Sequence, residues 1–362
     1  MRRDPFARHR LALAPLCADV CGARPDLDAA LTQVRAIGAR AFLEFLDWHK
    51  LAPAWSALIA RNAKLDVDCD FIAGLAAART QATALYLAQA AALADVCRAF
   101  ERCGVEYAVI KGAALREQVH ADASLRPALD IDILARAPAD AARVLRDAGF
   151  AAQQDVSSHE ATFTRGVVAV DLHWDILRPG RTRGPVAQAF LNRRTRARDM
   201  WTLDDADTVV LMLIHPAFTK YVASPNASLV AVVDFVAFLG ARAVDWAAVV
   251  ARLEAAGLKT AAWTVLQWFA MVVPPASPSA PADVVAALAP ARWRARYLRE
   301  WIERDLPTRW LARPLPIQLG LTLALHDRAS DAARAAFRRL DARRPARVDP
   351  SVDPSVDPRI DS

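Results

Sequence analysis

Two aspartates separated by one residue, Asp130 and Asp132, are the clearest indication of chemistry in this sequence. They alternate with aliphatic residues within the stretch 126–134, which is the period of a β-strand, so both carboxylates are expected on one face. Two carboxylates beside a buried apolar face cost free energy unless a positive group lies between them. A hard divalent cation fits this requirement because such ions prefer oxygen ligands. The alternative is a strand end that carries two solvated acids.

An apolar stretch upstream of the aspartates predicts a short buried strand. It begins at residue 105, breaks at Gly112 and continues into a helix, with Lys111 in the turn. Lysine is rare in this chain, in contrast to arginine, and occurs only at positions 50, 64, 111, 220 and 259. Genome composition explains such a bias, yet it makes the lysine in the turn stand out.

Downstream of the aspartates, the sequence predicts a hairpin that carries a third carboxylate. Its strands are residues 160–164 and 167–173, with residues 165–166 as a tight turn. Asp171 lies near the end of the second strand, and His173, two residues later, points to the same face. We expect this hairpin to deliver Asp171 to the sheet beside the first two aspartates. Short strands with helices to one side indicate an α+β core.

The order of these motifs resembles the DNA polymerase β-like nucleotidyltransferase superfamily. That order is a strand, a glycine turn, a helix, a strand with Asp-x-Asp, and a later strand with a third carboxylate. More narrowly, the chain is similar to the uncharacterised bacterial nucleotidyltransferase family. The resemblance implies a small mixed β-sheet as the nucleotidyltransferase core, flanked by N- and C-terminal helical regions. It is carried by the motifs Ile110-Lys111-Gly112, Arg126-Pro127-Ala128-Leu129-Asp130-Ile131-Asp132 and Val170-Asp171-Leu172-His173-Trp174.

The chemistry that this resemblance implies is metal-dependent nucleotidyl transfer. A nucleoside monophosphate would move from a triphosphate such as ATP to a hydroxyl-type acceptor on a small molecule, a peptide or a protein. Mg²⁺ or Mn²⁺ would clamp the attacking and leaving oxygens. Asp130, Asp132 and Asp171 would be the metal ligands and the catalytic residues, and Asp171 would also help to deprotonate the acceptor. The alternative is a catalytically silent nucleotidyltransferase fold that serves as a binding or regulatory module.

The residues on the nucleotide side, by the same resemblance, are Lys111, Gly112 and Arg126. Backbone N–H groups at the Gly112 turn would lie near the triphosphate at the start of a helix. The superfamily usually has Gly-Ser or Gly-Gly in this turn, so Lys111 either replaces the missing hydroxyl as a phosphate contact or only caps the strand. In the first case, its replacement should weaken nucleotide binding and hardly change stability. Arg126 either contacts phosphate or screens the aspartates.

His173 is the candidate residue on the acceptor side of this site. It could orient the acceptor or act as a base, because the charge of a histidine changes near neutral pH. A histidine that hydrogen-bonds a carboxylate next to the metal ligands explains the same spacing equally well. The sequence leaves both interpretations open.

Helical periodicity dominates the sequence on both sides of the core. Hydrophobic residues make up 54% of the chain and alanine is abundant, which favours helices. The predicted organisation is an N-terminal helical region over 1–99, the core over 100–180, a C-terminal helical region over 181–345 and a disordered tail over 346–362. The stretch from 181 to 198 is rich in arginines, which could meet phosphates but are better explained as a solvated helix face.

The net charge and the cysteine content limit which kinds of partner and which cellular compartment are expected. A net charge of +6 and an isoelectric point near 9.3 are only mildly basic for 362 residues. They allow an anionic ligand, but nucleic-acid binding becomes the weakest of the three functional hypotheses. Five cysteines at irregular spacing form neither a disulfide framework nor a zinc pattern. No stretch suits a membrane span, so a cytoplasmic protein with reduced thiols is expected.

Overall fold

A computed structural model describes residues 4–62, 67–156 and 159–342 of the chain. The tail predicted over 346–362 lies outside these ranges. The part that precedes the sheet is helical, as the sequence predicts. Its helices are α1 (Ala7–Val20), α2 (Leu27–Ile37), α3 (Ala39–Trp48), α4 (Ala52–Ala60) and α5 (Cys69–Arg102).

Helix α5 ends where the sequence changes from helical to strand periodicity. Gly104 has a left-handed φ of 66°, and the N–H of Val105 donates to the carbonyl of Phe100 at 2.9 Å. This is the Schellman arrangement, in which a residue without a Cβ adopts the left-handed conformation that satisfies the last helical carbonyls. The first strand of the sheet follows directly.

A mixed β-sheet forms the centre of the molecule, and in the described residues it has seven strands in the order β3-β4-β5-β2-β1-β7-β6. Strand β2 is central, since it pairs in parallel with β5 and antiparallel with β1. Helices α6 (Lys111–Val119) and α7 (Pro138–Asp147) follow β1 and β2. The strands are β1 (Tyr107–Val109), β2 (Ile131–Ala135), β3 (Ala151–Val156), β4 (Glu160–Arg165), β5 (Val168–His173), β6 (Thr195–Ala197) and β7 (Met200–Thr202).

The last two strands extend the sheet beyond the range that the sequence predicts. Strands were expected to end near residue 173, with an arginine-rich connection from 181 onwards. Instead, helix α8 (Val186–Asn192) leads into the hairpin of β6 and β7, and Thr202 of β7 pairs with Val109 of β1. Each strand has only three residues, which is too short for a period-two pattern to be recognised.

Four arginines of this segment, from Arg193 to Arg198, do not form a helix face but pair with carboxylates, although Arg196 and Arg198 stay largely exposed. These ion pairs connect the hairpin and the residues before it to α5, to α6, to Glu106 just before β1, and to α9, the helix that begins at Asp205. The shortest N–O distances are 2.8 Å for Arg193–Asp207, 3.6 Å for Arg194–Glu106, 2.9 Å for Arg196–Glu101 and 3.0 Å for Arg198–Glu117.

Helices resume after the sheet and continue to the end of the described chain. No helix of the described residues is long and apolar enough to cross a membrane. Short turns of other helix types occur at Ala123–Leu125 and Ile317–Thr322. The α-helices are α9 (Asp205–Phe218), α10 (Val230–Ala241), α11 (Trp246–Ala256), α12 (Lys259–Val272), α13 (Ala282–Leu288), α14 (Arg292–Glu303), α15 (Leu306–Arg309) and α16 (Ala329–Ala342).

Two hydrophobic clusters cover the two faces of the sheet. Ile131 and Ile133 of β2 point into a cluster formed with α5 and α7. Leu134 points to the other face, into a larger cluster that contains residues of α1 to α4 and of α9 to α14. Helices from both ends of the chain therefore share one core. Because side chains alternate along a strand, Asp132 lies on the same face as Leu134, between the sheet and these helices.

Two histidines at the shared core, the buried His49 and the half-buried His9, make folding stability sensitive to acid. Burial, and for His9 also the neighbouring Arg8, lowers the pKa of His9 to about 4 and that of His49 to about 3. The unfolded chain therefore binds protons at a higher pH than the folded one. The contribution of these neutral histidines to the free energy of unfolding should be fully present above pH ~6.5. It should decrease as the pH falls toward ~4.

The variant His9→Phe should be less sensitive to acid than the wild type. The His9 ring packs edge-on against Phe6 and Phe45, so an aromatic replacement keeps this type of contact. The melting temperature should be measured at neutral pH and near pH 5. The decrease between the two should be larger for the wild type than for His9→Phe. Equal decreases of the melting temperature in the two proteins would contradict the assignment of His9 as a histidine that stays neutral in the folded protein.

Candidate functional site

Asp132 and Asp171 are direct neighbours in the sheet. The parallel register of β2 and β5 places Asp132 opposite Asp171, so their side chains leave the sheet on the same face. Strand β2 begins at Ile131, later than the sequence predicts, and Asp130 lies just before it. The hairpin thus brings Asp171 beside Asp132, while Asp130 approaches from the loop that enters the strand.

Asp132 is buried and is held in its charged form by two basic side chains. Lys111 Nζ lies 2.6 Å and His173 Nε2 lies 2.8 Å from the same oxygen, Oδ1 of Asp132. Burial by itself would raise the pKa of Asp132, but the Lys111 charge and the His173 hydrogen bond hold it far below its usual range. Since the carboxylate is ionised, His173 Nε2 is the donor of that hydrogen bond.

Asp130 and Asp171 differ from Asp132 in their surroundings. Burial, followed by repulsion from Asp132 and Asp171, raises the pKa of Asp130 to about 6. Asp171 accepts a hydrogen bond from Thr162 Oγ1 at 2.6 Å, which fixes the orientation of its carboxylate. A cation that arrives among these three acids would relieve the repulsion and favour the charged form of Asp130.

The donor set at this place fits a hard divalent cation. Oxygen atoms of Asp132 and Asp171 and a ring nitrogen of His173 lie within 4.8 Å of one another. Because His173 Nε2 donates a hydrogen bond to Asp132, the two carboxylates are the candidate ligands. Carboxylate oxygens are the ligands that Mg²⁺ and Mn²⁺ prefer. Asp130 lines the same cavity as Asp132 and Asp171, so a third carboxylate can complete the set.

Sequence reasoning missed Glu160 as a member of this site. Glu160 of β4 pairs with His173 of β5, and its Oε2 lies 3.2 Å from His173 Nδ1. Together with His159, these residues form a second group of ligand atoms within 4.8 Å. Glu160 alternates with Thr162 along the predicted strand, and that signal becomes informative only once the register of the hairpin is known.

His173 itself lies behind the carboxylates and not at the surface of the cavity. Its side chain is 2% exposed, and its two ring nitrogens face Asp132 and Glu160. Of the two interpretations that the sequence left open, this placement favours a histidine that orients a carboxylate over one that meets the acceptor.

The turn between β1 and α6 differs from the predicted glycine turn. Lys111, not Gly112, has the left-handed φ of 54°, and α6 begins at Lys111. Such a conformation costs a non-glycine residue about 1–3 kcal/mol. In this left-handed conformation, the ammonium group of Lys111 contacts Asp132. Gly112 serves a different need, because a Cβ at this position would lie 2.8 Å from Cζ of Arg126 and closer still to Nη1.

Arg126 has a carboxylate partner that sequence reasoning did not identify. Its Nη2 lies 2.5 Å from Oδ2 of Asp234, and its Nε lies 3.1 Å from both oxygens of that carboxylate. His120 Nε2 is also 2.8 Å from Asp234. Burial would raise the pKa of Asp234, but Arg126 and His120 lower it to about 2. The charged pair joins the loop that leads into β2 to α10.

Replacement of Gly112 by alanine should therefore displace Arg126 and destabilise the fold. We expect a loss of about 1–3 kcal/mol, typical of a group forced into a packed interior. The matched control is Gly240→Ala in α10, where a Cβ would meet nothing closer than Pro278 at 3.9 Å. The control should be neutral or slightly stabilising. Denaturant unfolding measures both, and equal stabilities of the two variants would contradict the close approach of Arg126.

A cavity of about 480 Å³ connects these residues, a volume in the range of small-ligand sites. Both helical regions contribute to its wall, the N-terminal one with Trp48 and Lys50 and the C-terminal one with His215 and Lys220. The core residues that line it include Lys111, Gly112, Arg126, Asp130, Asp132, Glu160 and Asp171. All the predicted site residues except His173 thus border one cavity.

Comparison with known proteins agrees with this geometry. No curated protein matches the chain. The sequence model of a family described as uncharacterised nucleotidyltransferase matches residues 35–273, which run from the N-terminal helices through the sheet to α12. The resemblance inferred from the three strand and turn motifs is thereby confirmed, and this chain belongs to the uncharacterised nucleotidyltransferase family.

Proposed function

We propose that this protein is a metal-dependent nucleotidyltransferase that moves a nucleoside monophosphate from a nucleoside triphosphate to a hydroxyl-type acceptor on a small molecule, a peptide or a protein. The observation that carries the proposal is the register of Asp132 and Asp171. Two carboxylates face one cavity from neighbouring strands, with Asp130 beside them and cationic side chains around them.

The three aspartates would hold Mg²⁺ or Mn²⁺ in this reaction. Bound there, the metal would relieve the charge of the triphosphate and align the attacking and leaving oxygens. Thr162 keeps Asp171 oriented, and His173 keeps Asp132 oriented, so these side chains are preorganised. Asp171 has no basic residue at hydrogen-bond distance among the described residues, which suits it to accept the proton of an acceptor hydroxyl.

Lys111 and the helix that follows it form the nucleotide side of the proposed site. Lys111 lines the cavity and at the same time neutralises Asp132. With a divalent cation bound to Asp132, the ammonium group of Lys111 would be available for a phosphate oxygen. Arg126 also lines the cavity but is paired with Asp234, so its contribution to phosphate binding is shared with that pair.

The ion pair between Lys111 and Asp132 also favours one alternative, a catalytically silent binding module. An ammonium group 2.6 Å from Asp132 can take the place of a metal ion in neutralising the carboxylate. Such a module would bind the triphosphate with or without a divalent cation and would not turn it over.

Calorimetric titration with a non-hydrolysable triphosphate analogue separates the two functions. The metal-dependent enzyme should bind the analogue far more tightly with Mg²⁺ than without it. Its thermal stability should then rise only when both are present, by about 2.7 kcal/mol at a hundredfold excess over Kd. Equal affinity with and without Mg²⁺ would support the silent module, and absence of binding in both conditions would overturn the proposed function.

A further inference from the structure

We propose that Lys50 and Lys220, one from each helical region, form a subsite that binds the polyphosphate tail of the nucleotide. This inference rests on the proposed function and adds to it two residues outside the strand motifs. It also assigns the helical regions a role in substrate binding, since the subsite exists only where both meet the core.

The distribution of lysine is the first observation. The chain has five lysines, and three of them, Lys50, Lys111 and Lys220, line the same cavity. They come from the N-terminal helices, the sheet region and the C-terminal helices. Of the other two, Lys259 lies 3.9 Å from Glu254 on α11, and Lys64 is outside the described residues. Arginine is the ordinary basic residue here, so convergence of the rare lysines on one cavity indicates a ligand.

The pairing of the cations is the second observation. Lys111 and Arg126 already have carboxylate partners in Asp132 and Asp234. In contrast, no carboxylate oxygen of the described residues lies within 4.0 Å of Lys50 or Lys220. The positive charge still available to an anion in this cavity therefore belongs to these two lysines. An anion bound there would gain charge-assisted hydrogen bonds without breaking an existing ion pair.

The position of Lys50 is fixed by the fold. Lys50 has a left-handed φ of 60°, a conformation that persists in a non-glycine residue only where its surroundings impose it. The two residues before it are attached to the loop before α10. Trp48 Nε1 donates to the carbonyl of Pro225 at 2.9 Å, and the carbonyl of His49 accepts from Ser228 Oγ at 2.8 Å. Lys50 thus directly follows the residues through which the N-terminal helical region is hydrogen-bonded to the C-terminal one.

The environment of Lys50 is unfavourable for a cation without a ligand. Burial and the charge of Arg126 lower the pKa of Lys50, while Asp130 acts in the opposite direction and Lys220 adds repulsion. A partly buried ammonium next to further cations costs free energy, and a polyanion between them would recover it. A nucleoside or a hydroxyl group is neutral and cannot compensate these positive charges. Each added phosphate brings negative charge that can.

Binding of nucleotides with different numbers of phosphates tests the subsite. The variants are Lys50→Met and Lys220→Met, with Lys259→Met as the matched control outside the cavity and Lys50→Arg to restore the charge. In Mg²⁺ we expect each cavity variant to bind the non-hydrolysable triphosphate about tenfold or more weakly than the wild type. The loss should shrink from triphosphate to diphosphate to monophosphate. The control should bind as the wild type does, and Lys50→Arg should recover part of the affinity.

The outcomes separate this inference from the proposed function. A wild type that binds no triphosphate overturns the proposed function and the subsite with it. A wild type that binds the triphosphate, with unchanged affinity in both cavity variants, overturns the subsite alone. An equal loss for monophosphate and triphosphate, or an effect only on the KM of an anionic acceptor, also overturns it. Melting temperatures of the variants close to that of the wild type show that a loss of affinity is not a loss of fold.

Discussion

Asp171→Asn should lower the rate of nucleotidyl transfer by about a hundredfold or more, because several kcal/mol of charge stabilisation depend on the metal and its carboxylate ligands. The fold should be retained. An asparagine oxygen can accept the same hydrogen bond from Thr162 Oγ1 that Asp171 accepts at 2.6 Å. The measurement is the transfer rate in Mg²⁺, together with the melting temperature of the variant without metal.

The control for this experiment is Asp140→Asn. Asp140 lies on α7, its side chain is 62% exposed, and its nearest basic partner is Arg143 at 3.5 Å. This replacement removes the same charge from a place outside the cavity and should leave the rate unchanged. If Asp171→Asn transfers as fast as Asp140→Asn, Asp171 is not a ligand of the catalytic metal.

Lys111→Met should lower the free energy of unfolding by about 3–5 kcal/mol, the range for a buried ion pair that loses one partner. The side chain of Asp132 is 7% exposed, so without Lys111 its charge stays buried with His173 as its only close basic neighbour among the described residues. From the sequence, almost no change in stability was expected if Lys111 is a phosphate contact, so the ion pair with Asp132 leads to a different expectation.

The double variant Lys111→Met/Asp132→Asn distinguishes the ion pair from a general packing effect. Removal of both charges leaves no unpaired buried ion, so the double variant should be more stable than the sum of the two single losses predicts. Denaturant unfolding of the wild type, both single variants and the double variant gives this coupling. Strict additivity would show that Lys111 and Asp132 do not interact in the folded protein.

The part of the site that the sequence predicts is the part encoded by local alternation. Asp132 and Asp171 each occupy a strand whose apolar residues alternate with them, so their common face follows from the period of a strand. Their adjacency needed only the prediction that the hairpin joins the same sheet. The start of β2 was predicted too early because Leu129 continues the apolar pattern, although this residue is 64% exposed.

The features that the sequence did not predict depend on contacts between distant segments. Arg126 meets Asp234 across 108 positions of the chain, and no local pattern links the two. The same holds for Lys50 and Lys220, which approach the aspartates only after helices from both ends have packed on one face of the sheet. The sequence predicts that the strand breaks at Gly112, yet the left-handed residue of this turn is Lys111.

Transfer of label from differently labelled triphosphates tests the central claim most directly. The protein would be incubated with Mg²⁺, a cell lysate that supplies the acceptor, and a triphosphate labelled at either the α- or the γ-phosphorus. Nucleotidyl transfer predicts a labelled acceptor species from the α-labelled triphosphate alone, with wild type but not with Asp171→Asn. A species labelled only from the γ-position, or equal labelling by wild type and Asp171→Asn, would contradict nucleotidyl transfer at the three aspartates.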